Sequence, residues 1–230
     1  MNKMIDIDEL FELNPDYEVV SFDGEVMIVD NWYKNYDQII EVMKKQTPIT
    51  YTSDGAPEIS EENGKEYFDG RVIFPNSKFN KKYLKSVEEI LKLINTTPDD
   101  VHFETNALIF NYWKSGKIYE NKFQSRPHTD GTNTFACVIY LDELCSGGTA
   151  FYKSKEKPSS GSGLIDIQNI TVEQCIELKR VIPAKPNRMI IYEGNTPHGA
   201  FIEDHSKYID EWRINHVHFI HLHNNDNNKE

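Results

Sequence analysis

The second half of the chain is a series of short β-like runs, and this series constrains the fold more than any other feature. The runs are ALIFNYW, FACVIYLDEL, TAFYK, NRMIIYE, GAFIE and WRINHVHFI, each bounded by Gly, Pro, Asn or Asp. Many short strands without long helices between them favour an antiparallel roll or sandwich over a βαβ fold. We therefore predict a mainly β (α+β) fold with flanking helices for the 230 residues.

The first half of the chain has different patterns. Asp23-Gly24 lies between two β-rich runs and predicts a hairpin. The segments NYDQIIEVMKKQ and KKYLKSVEEILKLI place apolar residues at helical spacing, so one or two helices precede the strands. Residues 50–67 are polar and without periodicity, which predicts a loop. A second loop is expected at 153–170, where Pro, Ser and Gly are concentrated, and it is a candidate lid over a site.

Charge and composition limit the classes of partner. The net charge is −12 and the sequence shows no basic cluster, so we expect no nucleic-acid partner. The sequence contains no run of eighteen apolar residues, so no membrane span is expected. The acidic N-terminus lacks the apolar core of a signal peptide. A cytoplasmic location is therefore expected. Cys137, Cys145 and Cys175 are an odd number without CxxC spacing, which indicates reduced, packed thiols.

A candidate metal site begins at His128-x-Asp130. In an extended chain, residues i and i+2 face the same way, so this imidazole and this carboxylate can bind one ion together. His198, after the apolar run MIIYE, is the candidate third ligand. Two histidines and one carboxylate form the facial triad of non-haem Fe(II) oxygenases. The tripeptide alone also fits a surface histidine beside a turn-capping aspartate, so the prediction depends on its context.

That context resembles a known family. The motifs in chain order are His128-x-Asp130, Tyr140-Leu141-Asp142, Gly147-Gly148-Thr149-Ala150-Phe151, Asn187-Arg188, His198 and Arg213. This order is similar to that of 2-oxoglutarate/Fe(II)-dependent dioxygenases, above all the prolyl-hydroxylase-like branch and a group of bacterial and viral oxygenases. The resemblance covers residues 105–222 and, more weakly, Asp30-Asn31-Trp32. It implies a double-stranded β-helix (jelly roll) within a single oxygenase domain, 1–230, in which 1–104 support the core.

The resemblance also implies an activity and its cofactors. Fe(II), 2-oxoglutarate as co-substrate and O2 would together hydroxylate a C–H bond, with release of succinate and CO2. His128, Asp130 and His198 would be both the metal ligands and the catalytic centre. Related halogenases lack the carboxylate ligand, so the presence of Asp130 favours hydroxylation. The expected substrate is a small molecule or an amino-acid side chain of a peptide or protein, and the oligomeric state is left open.

The resemblance assigns three residues to the co-substrate. Arg213 begins a β-run after the distal histidine and would bind the distal carboxylate in two-point fashion. It follows His198 by fifteen residues, which is longer than the family resemblance implies and indicates an insertion of EDHSKYID, so Lys207 is a rival. Tyr140 and Tyr112 match tyrosines that line the same site, and each is also compatible with a packed core tyrosine.

Two alternatives to this interpretation stay open. The alternating histidines from His216 to His223 could bind zinc or nickel, but His216 and His218 are predicted to face away from Arg213. The whole chain could instead be a cupin-like metalloprotein, either an enzyme that does not use 2-oxoglutarate or a sensor of metal or ligand. The motifs Tyr140, Gly147-Gly148-Thr149 and Arg213 favour the oxygenase.

Overall fold

The strands and helices are those of a computed structural model, which describes residues 10–43, 50–51, 57–58, 70–73, 81–103, 109–113, 128–154, 176–208, 211 and 213–223. The described strands are β1 (Glu18–Phe22), β2 (Val26–Asp30), β3 (Thr50–Tyr51), β4 (Pro57–Glu58), β5 (Gly70–Ile73), β6 (Val101–Phe103), β7 (Ile109–Trp113), β8 (Thr134–Tyr140), β9 (Gly148–Ser154), β10 (Ile176–Pro183), β11 (Arg188–Glu193), β12 (His198–Phe201) and β13 (Arg213–Leu222). The described α-helices are α1 (Tyr36–Met43) and α2 (Lys81–Leu93), and 3-10 turns lie at Pro98–Asp100 and His205–Tyr208.

Two antiparallel sheets form the body of the fold. The main sheet has the order β1-β2-β11-β8-β13-β7-β5, with β6 beside β13. The second sheet has the order β10-β9-β12, and β3 pairs with β4 separately. The predicted mainly β jelly-roll fold with flanking helices is therefore confirmed. Within the described part of the chain, no helix has the length and apolar character needed to cross a membrane.

Alternation along β13 separates two hydrophobic cores. Ile214 and Ile220 belong to the core that lies between the main sheet and the two helices. On the other face of the sheet, Asn215 pairs with Tyr140, which belongs to the core shared with the second sheet. Because side chains alternate along a strand, Arg213 faces this inner core as well. The direction of the Arg213 side chain, the candidate cation for the co-substrate, therefore depends on the register of β13.

The predicted helices and hairpin are present, and their buried residues explain them. Ile39, Ile40 and Met43 of α1 are buried against the main sheet, as the helical spacing predicts. The hairpin joins β1 to β2 through Gly24, whose φ of 89° is in the left-handed region that favours glycine. This hairpin extends the main sheet through the pairing of β2 with β11. Residues of the N-terminal half thus complete the main sheet, which carries Tyr140 and Arg213.

Some strands were not predicted from the sequence. The prediction of a loop over 50–67 is wrong for Thr50–Tyr51 and Pro57–Glu58, which form the paired strands β3 and β4, and the rest of that range lies outside the described residues. The strands β5, β6 and β10 were also missed. In β10 the exposed face is charged and the strand ends in Pro, so its alternation is weak. The candidate lid at 153–170 lies outside the described residues except for 153–154, which end β9.

The Asn187-Arg188 motif has a structural role. The Asn187 side chain accepts from the backbone N–H of Tyr33 at 2.8 Å and donates to the Tyr33 carbonyl at 2.7 Å. Arg188 binds both carboxylate oxygens of Asp30, through Nε at 2.7 Å and Nη2 at 3.1 Å. Two-point ion pairs of this kind fix orientation as well as distance. The motif therefore joins the start of β11 to the segment Asp30-Asn31-Trp32, and it contributes no group to the metal site.

Candidate metal centre

The three predicted ligands come from two neighbouring segments. His198 is the first residue of β12, and His128 forms an isolated antiparallel bridge with it. The two backbones exchange hydrogen bonds of 2.8 and 2.9 Å. The backbone N–H of Asp130 donates to the Gly194 carbonyl at 2.7 Å. The His-x-Asp segment therefore runs beside the β11–β12 connection, and its alternation turns both side chains toward His198.

The structure brings one potential ligand atom of each residue together. His128, Asp130 and His198 offer three atoms that all lie within 4.8 Å of one another. Asp130 Oδ2 is 3.3 Å from His198 Nε2, and Asp130 Oδ1 is 3.7 Å from His128 Nε2. The His198 side chain is 6% exposed and that of His128 is 32% exposed. The group is therefore open on the side of His128.

The hydrogen bonds of the site are those expected of a metal-binding group. His198 Nδ1 lies 2.8 Å from the Thr196 carbonyl, which can only accept, so Nδ1 carries the proton. His198 Nε2 then presents a lone pair toward Asp130 Oδ2. That oxygen is buried and has no hydrogen-bond partner in the described part of the chain. Two facing lone pairs need a cation between them, and a carbonyl-held histidine is the usual metal-ligating form. The residues therefore fit a divalent metal.

Glycines allow the close approach that the site requires. Gly194 packs against the turn before β8, where an added Cβ would lie 3.1 Å from the Gly131 carbonyl oxygen. Gly131 itself has φ of 118°, which other residues rarely adopt. The backbone N–H of Gly194 donates to the Thr134 carbonyl at 2.6 Å. An added Cβ at Gly194 would therefore require the turn around Gly131 and Thr134 to shift by a few tenths of an ångström.

An aromatic wall beside His198 was not predicted from the sequence. The Tyr192 ring is 4.6 Å from the His198 ring, and Phe151 packs edge-on against Tyr192 at 5.1 Å. Burial raises the pKa of Tyr192 well above its usual value, and the negative charge of Asp130 adds to this effect. Tyr192 therefore stays protonated at neutral pH. The alternation of β11 was the available signal, since Ile190 and Tyr192 share the inner face.

Arg213 lies inside the jelly roll. It is 4% exposed, and its Nη2 donates to the Gly148 carbonyl at 2.9 Å. A buried guanidinium is costly unless acceptors surround it, so its position favours an anionic ligand. Lys207, the rival, is an exposed residue of the 3-10 turn His205–Tyr208. The structure thus separates the two candidate cations, with one inside the fold and the other on its surface.

The two candidate tyrosines differ in what the structure describes. Tyr140 is buried on β8, and its hydroxyl lies 2.7 Å from Thr149 Oγ1. Burial raises the pKa of Tyr140 to about 12, although the Thr149 hydroxyl and the charge of Arg213 oppose this shift. Tyr112 lies on β7 opposite Ile214, and its side chain is outside the described residues. Thr149, for which the sequence predicted no role beyond its motif, therefore contacts Tyr140 on the inner face.

One further inner-face residue has an unused polar atom. Asn215 Oδ1 is buried and, among the described residues, has no hydrogen-bond partner. Its strand neighbour is Tyr140, and it lies two residues beyond Arg213 on the same face. An unmatched buried carbonyl costs roughly 1–3 kcal/mol, so such atoms usually meet a ligand or water. The inner face thus carries both a cation and an acceptor for a small polar molecule.

The alternating histidines of β13 are separate from this site. His216 and His218 lie on the helix-covered face, where the Tyr33 hydroxyl is 2.7 Å from His216 Nδ1. Burial lowers the pKa of His218 to about 3, so the ring stays neutral. In the part of the chain that the structure describes, the only group of three or more possible metal ligands is His128, Asp130 and His198. The prediction that His216 and His218 face away from Arg213 is confirmed.

Solved structures with the same fold include a complex with 2-oxoglutarate and an alpha-ketoglutarate-dependent enzyme. EvdO2 from Micromonospora carbonacea var. aurantiaca is 12% identical with a TM-score of 0.52, covering 89% of this chain and 93% of its own. Its complex with 2-oxoglutarate has a TM-score of 0.53, with coverages of 90% and 93%. SnoK, a non-heme alpha-ketoglutarate-dependent carbocyclase from nogalamycin biosynthesis, is 12% identical with a TM-score of 0.50, covering 86% and 79%. No protein-family model and no curated protein matches the chain. At this identity the likeness shows a shared fold.

Proposed function

We propose that the chain is an Fe(II)- and 2-oxoglutarate-dependent oxygenase that hydroxylates a C–H bond and releases succinate and CO2. The observation that carries this proposal is the pairing of Asp130 Oδ2 with the lone pair of His198 Nε2, in a group completed by His128. Buried Arg213 on the inner face supports the co-substrate assignment. The likeness to EvdO2 and SnoK supports it further, because both of those proteins are described with 2-oxoglutarate or alpha-ketoglutarate.

The residues of the site would have different roles in binding the metal and the co-substrate. When bound, Fe(II) with 2-oxoglutarate would supply the oxidative decarboxylation that drives cleavage of an unactivated C–H bond. His198 would present Nε2, because the Thr196 carbonyl holds the proton on Nδ1. Arg213 would bind the distal carboxylate, and Tyr140, protonated because burial raises its pKa to about 12, would donate a hydrogen bond to it. The Tyr192 and Phe151 rings would exclude water beside His198.

The narrower assignments belong to the same proposal. Membership of the prolyl-hydroxylase-like branch depends on the sequence motifs, and hydroxylation as the outcome depends on the carboxylate of Asp130. We propose a small molecule or an amino-acid side chain of a peptide as substrate, with no nucleic-acid or membrane partner. The single-domain organisation and the cytoplasmic location stay predictions of the sequence.

Anaerobic visible absorption tests the cofactor pair. Fe(II) and then 2-oxoglutarate are added to wild type, His198→Ala, Arg213→Ala and, as a matched control, His223→Ala, which removes an exposed histidine. The charge-transfer band of an Fe(II)–2-oxoglutarate complex is expected in wild type and in the control. It is expected to be absent in His198→Ala and to need far more 2-oxoglutarate in Arg213→Ala.

Aerobic turnover then tests the reaction. Succinate formation in the presence of candidate substrates is expected in wild type and absent in Asp130→Ala. Iron binding in wild type without the band would instead favour a cupin-like metalloprotein that does not use 2-oxoglutarate. Normal turnover in Asp130→Ala would exclude the proposed ligand set.

A further inference from the structure

The connection between β12 and β13 contains a buried tyrosine that the metal centre does not explain. Tyr208 ends the 3-10 turn His205–Tyr208 and is fully buried, although Ser206 and Lys207 beside it are exposed. This connection holds the EDHSKYID segment, which makes the spacing from His198 to Arg213 longer than the family resemblance predicts. A segment added only as a surface loop has no need to bury a large side chain in the fold.

The Tyr208 hydroxyl joins this connection to the turn between β8 and β9. It donates to Asp142 Oδ2 and accepts from the backbone N–H of Ser146 at 3.0 Å. The other oxygen of Asp142 accepts from the backbone N–H of Leu144 at 2.7 Å. Ser146 Oγ in turn accepts from the backbone N–H of Asp204 at 2.9 Å. One buried network therefore holds the two segments together from both sides.

The same turn leads to the carbonyl that holds the candidate co-substrate cation. Arg213 Nη2 donates to the Gly148 carbonyl at 2.9 Å. Gly147 and Gly148 have no room for a side chain, since an added Cβ would lie 2.0 Å from the Phe201 carbonyl oxygen and 1.9 Å from that of Ile182, respectively, so both glycines pack closely against neighbouring backbone. The position of the Gly148 carbonyl is thus fixed by the turn, and the turn is fixed by its contacts with the β12–β13 connection.

Charge links the network to Arg213 as well. Burial raises the pKa of the Asp142 carboxyl, while the Tyr208 hydroxyl and the positive charge of Arg213 act in the opposite direction. Asp142 and Arg213 thus carry opposite charges inside the protein, where charge interactions are strong. Tyr208 supplies the donor that keeps the Asp142 carboxylate in place.

We propose that Tyr208 and Asp142 are positioning residues for the Arg213 guanidinium, and that they set the preference of the site for a 2-oxo acid with a distal carboxylate. This inference rests on the proposed function. A cation that is held in place before its ligand arrives loses little conformational freedom on binding. The affinity for the distal carboxylate therefore depends on the network. The affinity for the 2-oxo acid end of the ligand, which binds elsewhere, does not.

The test compares two ligands in the full-length protein loaded anaerobically with Fe(II). One ligand is 2-oxoglutarate, and the other is 2-oxovalerate, which has the same number of carbons but no distal carboxylate. In Tyr208→Phe the dissociation constant for 2-oxoglutarate is expected to rise roughly tenfold, as for loss of one hydrogen bond in a charged network. The constant for 2-oxovalerate is expected to stay unchanged, and kcat at saturating 2-oxoglutarate is expected to stay within about twofold of wild type.

Tyr33→Phe is the matched control, because it removes the hydroxyl of another buried tyrosine from the opposite face of the main sheet. It is expected to change neither constant. Asp142→Asn gives the same measurement if Tyr208→Phe does not fold, with the same selective loss expected. Equal weakening of both ligands, or no change for 2-oxoglutarate, would overturn the positioning role. If wild type does not bind 2-oxoglutarate at all, the proposed function itself fails, and the two failures are thereby distinguishable.

Discussion

Replacing Asp130 with asparagine is expected to stabilise the metal-free protein while removing the stabilisation that metal provides. Asp130 Oδ2 is buried, has no hydrogen-bond partner among the residues that the structure describes, and faces the lone pair of His198 Nε2 at 3.3 Å. An unmatched buried acceptor costs roughly 1–3 kcal/mol, and an amide N–H in its place would gain a hydrogen bond. Asp130→Asn should therefore have a free energy of unfolding about 1–2 kcal/mol higher than that of wild type at pH 8.

In the presence of metal, wild type should instead be more stable than Asp130→Asn. At a metal concentration of a hundred times its dissociation constant, wild type gains about 2.7 kcal/mol, because the ion binds only the folded state. Asp130→Asn lacks the anionic ligand, so its gain should be far smaller. The assay is reversible urea unfolding with a chelator and with Mn(II), a redox-stable substitute for Fe(II).

A matched variant separates this effect from simple loss of charge. The chain carries a net charge of −12, so removal of any carboxylate relieves some repulsion. Glu41→Gln removes an exposed carboxylate of α1 and measures that general contribution. The reasoning would be refuted if metal-free Asp130→Asn gained no more than Glu41→Gln, or if Mn(II) stabilised Asp130→Asn as much as wild type.

Three further predictions concern the co-substrate cation, the β2–α1 junction and the buried histidines. Arg213→Ala should raise the 2-oxoglutarate concentration for half-maximal succinate formation by about a hundredfold, because a two-point ion pair is lost. Lys207→Ala, at an exposed position, should leave that concentration unchanged. The reverse result would exchange the roles of the two residues. Asn187→Ala should lower the free energy of unfolding in urea by about 2–5 kcal/mol, because it leaves two buried main-chain groups unmatched, and a loss below about 1 kcal/mol would contradict that role. The pKa of buried His218 falls from 6.5 to about 3 on folding. Between these two pH values only the unfolded chain binds a proton at His218. The free energy of unfolding should therefore fall as pH drops below about 6.5, by up to ~1.4 kcal/mol per pH unit. His218→Gln should reduce that slope in urea unfolding measured between pH 7 and 5, and His223→Gln should leave it unchanged; equal slopes in all three proteins would contradict the assignment.

Sequence patterns predicted the elements whose burial is one-sided or complete. The helix α1 was predicted because Ile39, Ile40 and Met43 share one face, and β11 because Met189–Tyr192 are buried on both sides. Strands such as β10 escaped prediction, since an exposed strand with charged residues lacks a strong apolar alternation. The two-residue strands β3 and β4 pair with each other within 50–58, and strands this short show no alternation in the sequence.

The candidate site was predictable where a local rule connects its residues, as in His128-x-Asp130. The roles of partners distant in the chain were not predictable in the same way. Asn187-Arg188 was grouped with the site motifs, although its side-chain hydrogen bonds are to Asp30 and Tyr33, at the end of β2 and just after it, and not to the metal site. Nothing local indicates that Tyr208, within a polar segment, is buried against Asp142. Such contacts depend on sheet order, which a single sequence does not state.

The register of β13 links the stability of the fold to the chemistry of the site. This strand pairs with β8 on one side and with β7 on the other, so its backbone is fixed from both edges. A shift by one residue would turn Ile214 toward the inner core and Arg213 toward the helices. Burial of Ile214 and Ile220 against the helices opposes that shift, and each costs about 1.5–3 kcal/mol to expose. The hydrophobic pattern of the outer face therefore determines where the inner-face cation lies.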